Sequence, residues 1–319
     1  MKEIIDPTKK NILMQLSQQQ FATRSHYSEV YDILLMNFES LVNSPSSFPV
    51  KKINIVKQLL HEMISQLPID YNEILTLALI SNQKKFQLHN SLNVCLISLL
   101  IGRTLNYSDE ELLELGFAAL LHDIGMFALE GLIYSAEAFT PEQREKLRQH
   151  PNQGLLLLDK FTRVSEDLEK AVIQEHERED GSGYPEGING KNIHEFAKII
   201  AIADCFESMT HFRPYRKCAL PFDALQSILQ LSKNQLDRTM ANGLINALSL
   251  YPLGTCVRLA GGEVGIVTKV YSGAPLSPEV TVYYDRDGRD YRGEMQTIDL
   301  LEEEDNYILR VINLDTPSH

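Results

Sequence analysis

Four histidines and two aspartates in the middle of the chain have the residue types of a metal site. His122 is followed directly by Asp123, and Asp204 interrupts an otherwise apolar stretch, AKIIAIADCFESMT. A carboxylate in such a stretch is costly to bury unless it is paired or bound to a metal. The histidines of this set are His89, His122, His150 and His176. Helices that project these side chains into a bundle would bind divalent cations of hard or borderline character.

The His122–Asp123 pair suits a centre with two ions. Adjacent residues on a helix diverge by about 100°, so the two side chains can contact different ions. A single histidine on a helix is more often an ordinary core or surface residue. That is the simpler interpretation of His26, His61, His194, His211 and His319. The same interpretation is weak for His89, His122, His150 and His176. It would require that these histidines occur together with the two aspartates and a glycine-rich loop over residues 180–190 by coincidence.

The elements that must position these residues are mostly helical. Ser108 and Glu111 resemble a capping box that opens a helix over residues 109–122. Thr140 and Pro141 open the next predicted helix, which runs through Leu158. Hydrophobic periodicity predicts further helices at residues 31–41, 53–67, 165–177, 195–210, 221–231 and 236–248.

After Pro252 the hydrophobic period changes from helical to two. Apolar residues alternate at 257–259, 264–268 and 280–284, and turn dipeptides stand at 261–262 and 287–288. The sequence therefore predicts a mainly α protein in three parts. These are a helical lead-in at residues 1–75, a helical bundle at 76–250, and a small antiparallel, barrel-like β unit at 251–319.

Composition excludes several other classes of protein. Lys plus Arg number 30 against 43 Asp plus Glu, a net charge of −13, which argues against binding to polymeric nucleic acid. The four cysteines show no CxxC spacing, so a reducing compartment is the simpler interpretation. No apolar run reaches the ~18 residues of a transmembrane helix, and the N-terminus lacks the pattern of a secretory signal. We therefore expect a cytoplasmic protein without membrane insertion.

Five motifs stand in order along the chain: HNSLNV at 89–94, LHDIG at 121–125, HPNQG at 150–154, EHEREDGSGYPEGI at 175–188 and ADCFESMTHFRPYR at 203–216. Together they resemble the motifs of the HD-GYP family, a branch of the HD metal-dependent phosphohydrolases. The resemblance covers about residues 76–250. It implies an HD-type helical bundle that hydrolyses the bacterial second messenger cyclic di-GMP to pGpG, GMP or both at a two-metal centre.

The resemblance also implies roles for individual residues. Asp123 and His122 would be catalytic, and the two divalent ions would be Fe or Mn. The implied metal ligands are His89, His122, Asp123, His150, Glu175, His176 and Asp204. Glu175 stands where the family usually has the first histidine of an HHE motif. Lys85 stands where some relatives have a glutamate that binds a third metal, so we expect two metals.

Further residues would bind the substrate. Arg213, Arg216 and Lys217 follow Asp204 at positions where the family contacts its ligand, and guanidinium groups suit phosphate oxygens. A basic loop after a helix is the alternative interpretation. Around them, the resemblance implies ligand contacts for Tyr184, Gly183 and Glu207. Tyr184 would contact a guanine, or it would only anchor the loop.

One departure from the family pattern leaves the activity open. Met126 replaces the lysine that usually follows HDIG, and a charge near the substrate phosphate is lost with it. Together with Glu175, this substitution permits a second hypothesis: a weak or inactive member that acts as a sensor for a nucleotide or a protein partner. A third hypothesis is a phosphodiesterase for another cyclic dinucleotide. The N-terminal helices or the β unit would mediate a homodimer or a protein partner.

Overall fold

The computed structural model describes residues 26–43, 49–67, 71–79, 85–129, 140–160, 164–211, 218–291, 296–303 and 305–312. The chain divides into two compact units. One is Ser25–Leu244, and the other contains Ile245–His319. The first is helical and the second carries the β-strands. The predicted boundaries at residues 75 and 250 remain predictions.

The helical elements confirm the predicted mainly α fold. In chain order they are α1 His26–Val42, α2 Val50–Gln66, α3 Tyr71–Leu77, α4 Phe86–Thr104, α5 Asp109–Leu121, α6 Pro141–Leu147, α7 His150–Leu158, α8 Glu166–Gln174, α9 Glu195–Thr210, α10 Pro221–Leu231 and α11 Arg238–Leu248. Short 3-10 helices occupy Ile124–Leu129 and Gly190–Asn192.

Helix α4 is the central helix of the first unit. It is buried along almost its whole length, and it packs against α5, α9 and α1. A helix that is apolar all round belongs in the interior of a protein. The first turns of α4 differ from the rest of the helix, because they bury the polar side chains of Gln87, His89 and Asn90. These polar side chains therefore require partners within the bundle.

The start of α5 follows the sequence prediction. Ser108 accepts a hydrogen bond from the Glu111 amide, and Glu111 in turn accepts one from the Ser108 amide. This reciprocal capping box fixes where the helix begins. The helix ends at Leu121, and the 3-10 helix Ile124–Leu129 follows. His122 and Asp123 therefore lie between the α-helix and the 3-10 helix.

The prediction of one helix from Pro141 through Leu158 is wrong. The chain forms α6 and α7 instead, with a break at Arg148 and Gln149. Pro151 explains the break, because proline is tolerated only in the first turn of a helix. Its ring would collide with the carbonyl group of Leu147 in a continuous helix. A new helix must therefore begin at His150.

One helical stretch has the length and hydropathy of a membrane span. It covers Asp109–Leu129, and its most apolar window has a mean hydropathy of 1.6. That window is 61% buried inside the protein. It includes α5, which packs against α4, α2 and α8. Packing inside the bundle thus accounts for the apolar character of this stretch.

The second unit contains a five-stranded antiparallel sheet. Its strands are β1 Cys256–Leu259, β2 Val264–Lys269, β3 Glu279–Tyr284, β4 Gln296–Asp299 and β5 Ile308–Val311, in the order β4-β3-β2-β1-β5. Cys256, Val264, Ile266, Tyr283 and Tyr284 form its apolar cluster. The predicted antiparallel β unit is confirmed, with β4 and β5 at its two edges.

Candidate metal centre and cleft

Four predicted ligands converge in the helical unit. Asp123, His150, Glu175 and His176, which we call the donor cluster, have one ligand atom each within 4.8 Å of the others. Asp123 follows α5, His150 begins α7, and the other two follow α8. His150 Nε2 lies 3.1 Å from Asp123 Oδ1 and 3.0 Å from His176 Nε2. Three separate segments thus meet at one point.

His122 borders the donor cluster and is fully buried. Its Nε2 atom lies 3.7 Å from Asp123 Oδ2, 3.8 Å from Glu175 Oε2 and 4.0 Å from Asp204 Oδ1. Asp204 also lines the adjacent cleft. The structure therefore brings six of the seven predicted ligands into one region.

Backbone carbonyl groups orient two of the histidines. Nδ1 of His122 is 2.7 Å from the Ala119 carbonyl oxygen, and Nδ1 of His150 is 2.6 Å from the Leu147 carbonyl oxygen. When Nδ1–H donates to a carbonyl, the unprotonated Nε2 atom is left to bind a metal. In both residues Nε2 is the atom that faces the carboxylates. The rings are therefore held in the orientation that a metal ligand needs.

The helix break at Pro151 supplies one of these carbonyl groups. In a continuous helix, the Leu147 carbonyl would accept from the amide of residue 151, but proline has no amide hydrogen. The His150 imidazole takes this place. Gly125 brings the two segments together, since a Cβ atom there would lie 2.0 Å from the His150 carbonyl oxygen. The HPNQG and LHDIG motifs thus have a structural reason to be paired.

The glycine-rich loop packs directly on the end of α8. A Cβ atom on Gly183 would lie 2.4 Å from Glu177 Cα, so only glycine permits this approach. The Glu177 carboxylate accepts hydrogen bonds from the amides of Glu186 and Gly187, at 2.8 and 3.0 Å. These contacts place the Tyr184 ring against the His176 imidazole, with centroids 4.6 Å apart and planes 23° apart.

The donor cluster fits a bound divalent cation. His122 Nε2 and both carboxylate oxygens of Glu175 are buried and have no hydrogen-bond partner among the described residues. Each buried polar atom without a partner costs about 1–3 kcal/mol, and more when it is charged. Imidazole nitrogens and carboxylate oxygens are ligands of Fe, Mn and similar metals. A cation at this point would supply the missing partner.

The protonation of the metal-free site follows from the same geometry. Burial lowers the pKa of His122, but the carboxylates of Glu175, Asp123 and Asp204 together raise it to about 9. Burial likewise opposes the charge on His150, yet Asp123 and Glu175 raise its pKa to about 10. Burial and the neighbouring His150 lower the pKa of His176. Protons on His122 and His150 thus balance the carboxylates of the metal-free site, and a metal would have to displace them.

Two amide side chains from α4 donate hydrogen bonds to three carboxylates. Gln87 Nε2 donates to Asp123 Oδ2 at 3.1 Å. Asn90 Nδ2 donates to Asp204 Oδ1 at 3.2 Å and to Glu207 Oε2 at 2.7 Å. Sequence reasoning missed both residues. Their signal was their position beside His89, and Asn90 belongs to the HNSLNV motif itself.

His89 belongs to a second polar group, which we call the amide network: Tyr31, His89, Asn90, Asn93 and Glu207. His89 Nδ1 is 2.9 Å from the Tyr31 hydroxyl, which donates to Asn93 Oδ1 at 3.1 Å. Glu207 is 1% exposed, and its carboxylate contacts the side chains of Asn90 and Asn93. His89 is thus outside the donor cluster, and its proposed role as a ligand remains a prediction.

An open cleft of about 320 Å³ adjoins the donor cluster. Besides Asp123, His150, His176 and Asp204, its lining contains Tyr184, Met126, Phe86, Gln87, Asn90, Ser208, Leu147, Arg144 and Arg148. The predicted phosphate contacts Arg213, Arg216 and Lys217 lie outside the described residues. Neither Arg144 nor Arg148 was predicted from the sequence to bind the ligand. Their signal was their place just before the HPNQG motif.

Residues 74–240, more than half of the chain, match the HD domain family. The chain belongs to the HD domain family. Residues 256–318 match a second family, described as a KOW domain associated with the HD domain. The HD domain match covers the donor cluster and the cleft. The KOW match covers the β-sheet. The resemblance on which the site was predicted is thus confirmed at the level of the family.

Individual relatives of this HD domain protein agree with the family. A cyclic di-GMP phosphodiesterase of Pseudomonas aeruginosa is 29% identical over 216 residues, 67% of this chain and 51% of the relative. A 3′3′-cGAMP-specific phosphodiesterase of Vibrio cholerae is 30% identical over 227 residues, 67% of this chain and 48% of the relative. The chain thus spans about half the length of these curated relatives.

A solved structure shares the fold. An HDG"Y"P protein from Bdellovibrio bacteriovorus superposes with a TM-score of 0.56 and 17% sequence identity. The match covers 76% of this chain and 72% of the other. At this identity the likeness concerns the fold alone, and it confirms the predicted HD-type bundle.

Proposed function

We propose that this HD domain protein hydrolyses cyclic di-GMP to pGpG, GMP or both at a centre of two divalent metal ions. The observation that carries the proposal is the donor cluster, whose buried atoms face one another beside an open cleft. Relatives named as cyclic di-GMP phosphodiesterases support the substrate. The protein would act in the cytoplasm on this small nucleotide.

Seven residues would hold the two ions, with Fe or Mn as the metals. Asp123 is central to the proposal, because its two oxygens face different partners: Oδ1 faces His150 and Oδ2 faces His122. The other ligands would be His89, His122, His150, Glu175, His176 and Asp204. Two bound cations would activate water and neutralise phosphate charge.

The chain's own residues orient this centre and the substrate. Carbonyl groups fix the rings of His122 and His150, while Gln87 and Asn90 hold the carboxylates in place. Tyr184 lines the cleft, and we retain it as a proposed contact to a guanine base. We retain Gly183 and the loop residues Arg213, Arg216 and Lys217 as proposed contacts to the nucleotide. Glu207 was predicted as a further contact, but its buried carboxylate instead accepts hydrogen bonds from Asn90 and Asn93.

The decisive experiment is hydrolysis of cyclic di-GMP by protein purified without oxygen and supplied with Fe(II) or Mn(II). We expect pGpG or GMP to be released, and we expect release to vanish in Asp123→Ala. Circular dichroism must show that both proteins are folded. Folded wild-type protein that binds metal but releases no product would overturn the proposal for this substrate.

A second cyclic dinucleotide is a specific alternative, because some relatives are named as 3′3′-cGAMP-specific phosphodiesterases. Both nucleotides should be compared under the same conditions by kcat/KM. A ratio that favours 3′3′-cGAMP would change the substrate and leave the reaction class unaltered. Binding of either nucleotide without cleavage would favour a sensor, for which Met126 in the cleft lining is the supporting observation.

A further inference from the structure

Two arginines line the cleft beside the donor cluster. Arg144 lies on α6, and Arg148 lies at the break between α6 and α7. Both side chains are exposed, and the same cleft is lined by the carboxylates of Asp123 and Asp204. A negatively charged ligand that enters the cleft therefore meets cations as well as the metal site.

Arg148 is held in a defined position. Its guanidinium carbon lies 5.3 Å from the centre of the Tyr184 ring, which stacks on the His176 imidazole. A guanidinium group near an aromatic ring gains cation–π attraction and keeps its hydrogen-bond donors available. Within the described part of the chain, Arg148 forms no ion pair with a carboxylate. The Arg148 side chain thus has a defined contact at the cleft, and its positive charge remains available to bind an anionic ligand.

We propose that Arg148 binds the phosphate group of the dinucleotide that is not at the metal centre. This inference rests on the proposed function, because a cyclic dinucleotide carries two phosphodiester groups and hydrolysis concerns one at a time. The second remains an anion that must leave water when the ligand enters the cleft. A guanidinium group can form two parallel hydrogen bonds with phosphate oxygens, which compensates that loss.

The position of Arg148 also separates this role from a structural one. The local backbone does not depend on the Arg148 side chain, because Pro151 causes the helix break and the Arg148 amide donates to the Arg144 carbonyl whatever the side chain is. Lys146 provides a matched control. Lys146 is exposed on α6, two residues before Arg148. It borders a separate shallow groove and does not line the cleft.

Binding should be measured with a phosphorothioate analogue of cyclic di-GMP that resists cleavage, titrated into metal-loaded full-length protein. We expect Arg148→Ala to lower the affinity for the analogue roughly tenfold to hundredfold, which is the range for the loss of a charge-assisted hydrogen bond. Arg148→Lys should lose less affinity for the analogue. Lysine keeps the positive charge but cannot form the two parallel hydrogen bonds of a guanidinium group. Lys146→Ala should bind as the wild type does. Equal losses in Arg148→Ala and Lys146→Ala would overturn the inference, because they would reflect overall charge.

Hydrolysis gives a second, independent reading. With cyclic di-GMP, Arg148→Ala should raise KM and retain kcat. With bis(p-nitrophenyl) phosphate, which has a single phosphodiester group, Arg148→Ala should match the wild type. An equal loss on both substrates would place Arg148 at the reacting phosphate and overturn the inference. Wild-type protein that binds the analogue but does not cleave cyclic di-GMP would overturn only the proposed function. Wild-type protein that fails to bind the analogue would overturn both.

Discussion

The donor cluster and the amide network are both buried, polar and close to the same helix, yet they differ in how their atoms are satisfied. In the amide network, hydroxyl and amide groups donate to neighbouring side chains, from Tyr31 through Asn93 to Glu207. In the donor cluster, nitrogen and oxygen atoms face one another, and both oxygens of Glu175 lack a hydrogen-bond partner among the described residues.

This difference indicates where a ligand belongs. A buried polar group that has found its partners in the fold is stable by itself and rigidifies its surroundings. A buried group without partners is destabilising, and a protein retains it where something else completes it. Asn90 connects the amide network to the region of the donor cluster, since its amide contacts both Glu207 and Asp204, another predicted metal ligand. We interpret the amide network as the frame that positions one wall of the metal centre.

The largest effect should come from removing a member of the donor cluster. Glu175→Ala should lower metal content and reduce turnover by at least about hundredfold, which is the upper end for residues that only orient a ligand. Glu175→His, which introduces the residue usual in the HD-GYP family, is the matched control and should retain metal. Metal content is measured by elemental analysis. Full metal content in Glu175→Ala would exclude Glu175 as a ligand.

A strong pH dependence of metal binding should belong to the donor cluster together with His122, which borders it. The pKa values of His122 and His150 are raised to about 9 and about 10, so a metal must displace their protons. Below about pH 9 the affinity for Mn(II) should therefore rise with pH, by about tenfold per unit for each displaced proton. Titrations between pH 6.5 and 8 measure this slope. A flat profile above pH 7 would mean that both imidazoles are already neutral.

The same shifts give the sign of the stability change without metal. Groups whose pKa is raised by folding stabilise the protein fully below the ordinary histidine value, and this contribution is lost as pH rises through about 9 to 10. The melting temperature of metal-free protein should thus fall across that window. The melting temperature of metal-loaded protein should fall less over the same pH range, because the cations take the place of the protons.

Removing the Asn90 side chain, which connects the amide network to Asp204, should have an intermediate effect on metal affinity. Asn90→Ala removes a hydrogen bond from Asp204 and another from Glu207. We expect metal affinity to fall roughly tenfold, as for other residues that orient a ligand. Asn93→Ala is the control, since Asn93 donates to the same Glu207 carboxylate and accepts from Tyr31. An equal loss of affinity in both variants would show that Asn90 acts through stability alone.

The smallest effect should come from the far end of the amide network. Tyr31→Phe removes the hydroxyl group that contacts His89 and Asn93. The free energy of unfolding should fall by about 1–3 kcal/mol, because two hydrogen bonds of about 0.5–1.5 kcal/mol each are lost while the ring still packs. Urea denaturation measures this change. With saturating metal, kcat should stay within about twofold of the wild type. A larger loss of kcat would assign Tyr31 a direct part in the site.

Local patterns in the sequence determined much of this protein. Helical periodicity and the Ser108–Glu111 capping box predicted the bundle, and the change of period after Pro252 predicted the β unit. The residues of the donor cluster were named because the chain resembles HD-GYP proteins in five ordered motifs. Such features are readable because they depend on residues a few positions apart.

The tertiary structure decided which of these residues meet and what holds them. Asn90 contacts Asp204 across 114 positions of the chain, and Tyr31 reaches His89 across 58. No local pattern encodes such pairs, because they arise from the packing of separate helices. The break before His150 lies between these cases. Pro151 was visible in the sequence, but the use of the released Leu147 carbonyl by the His150 ring appeared only with the three-dimensional arrangement.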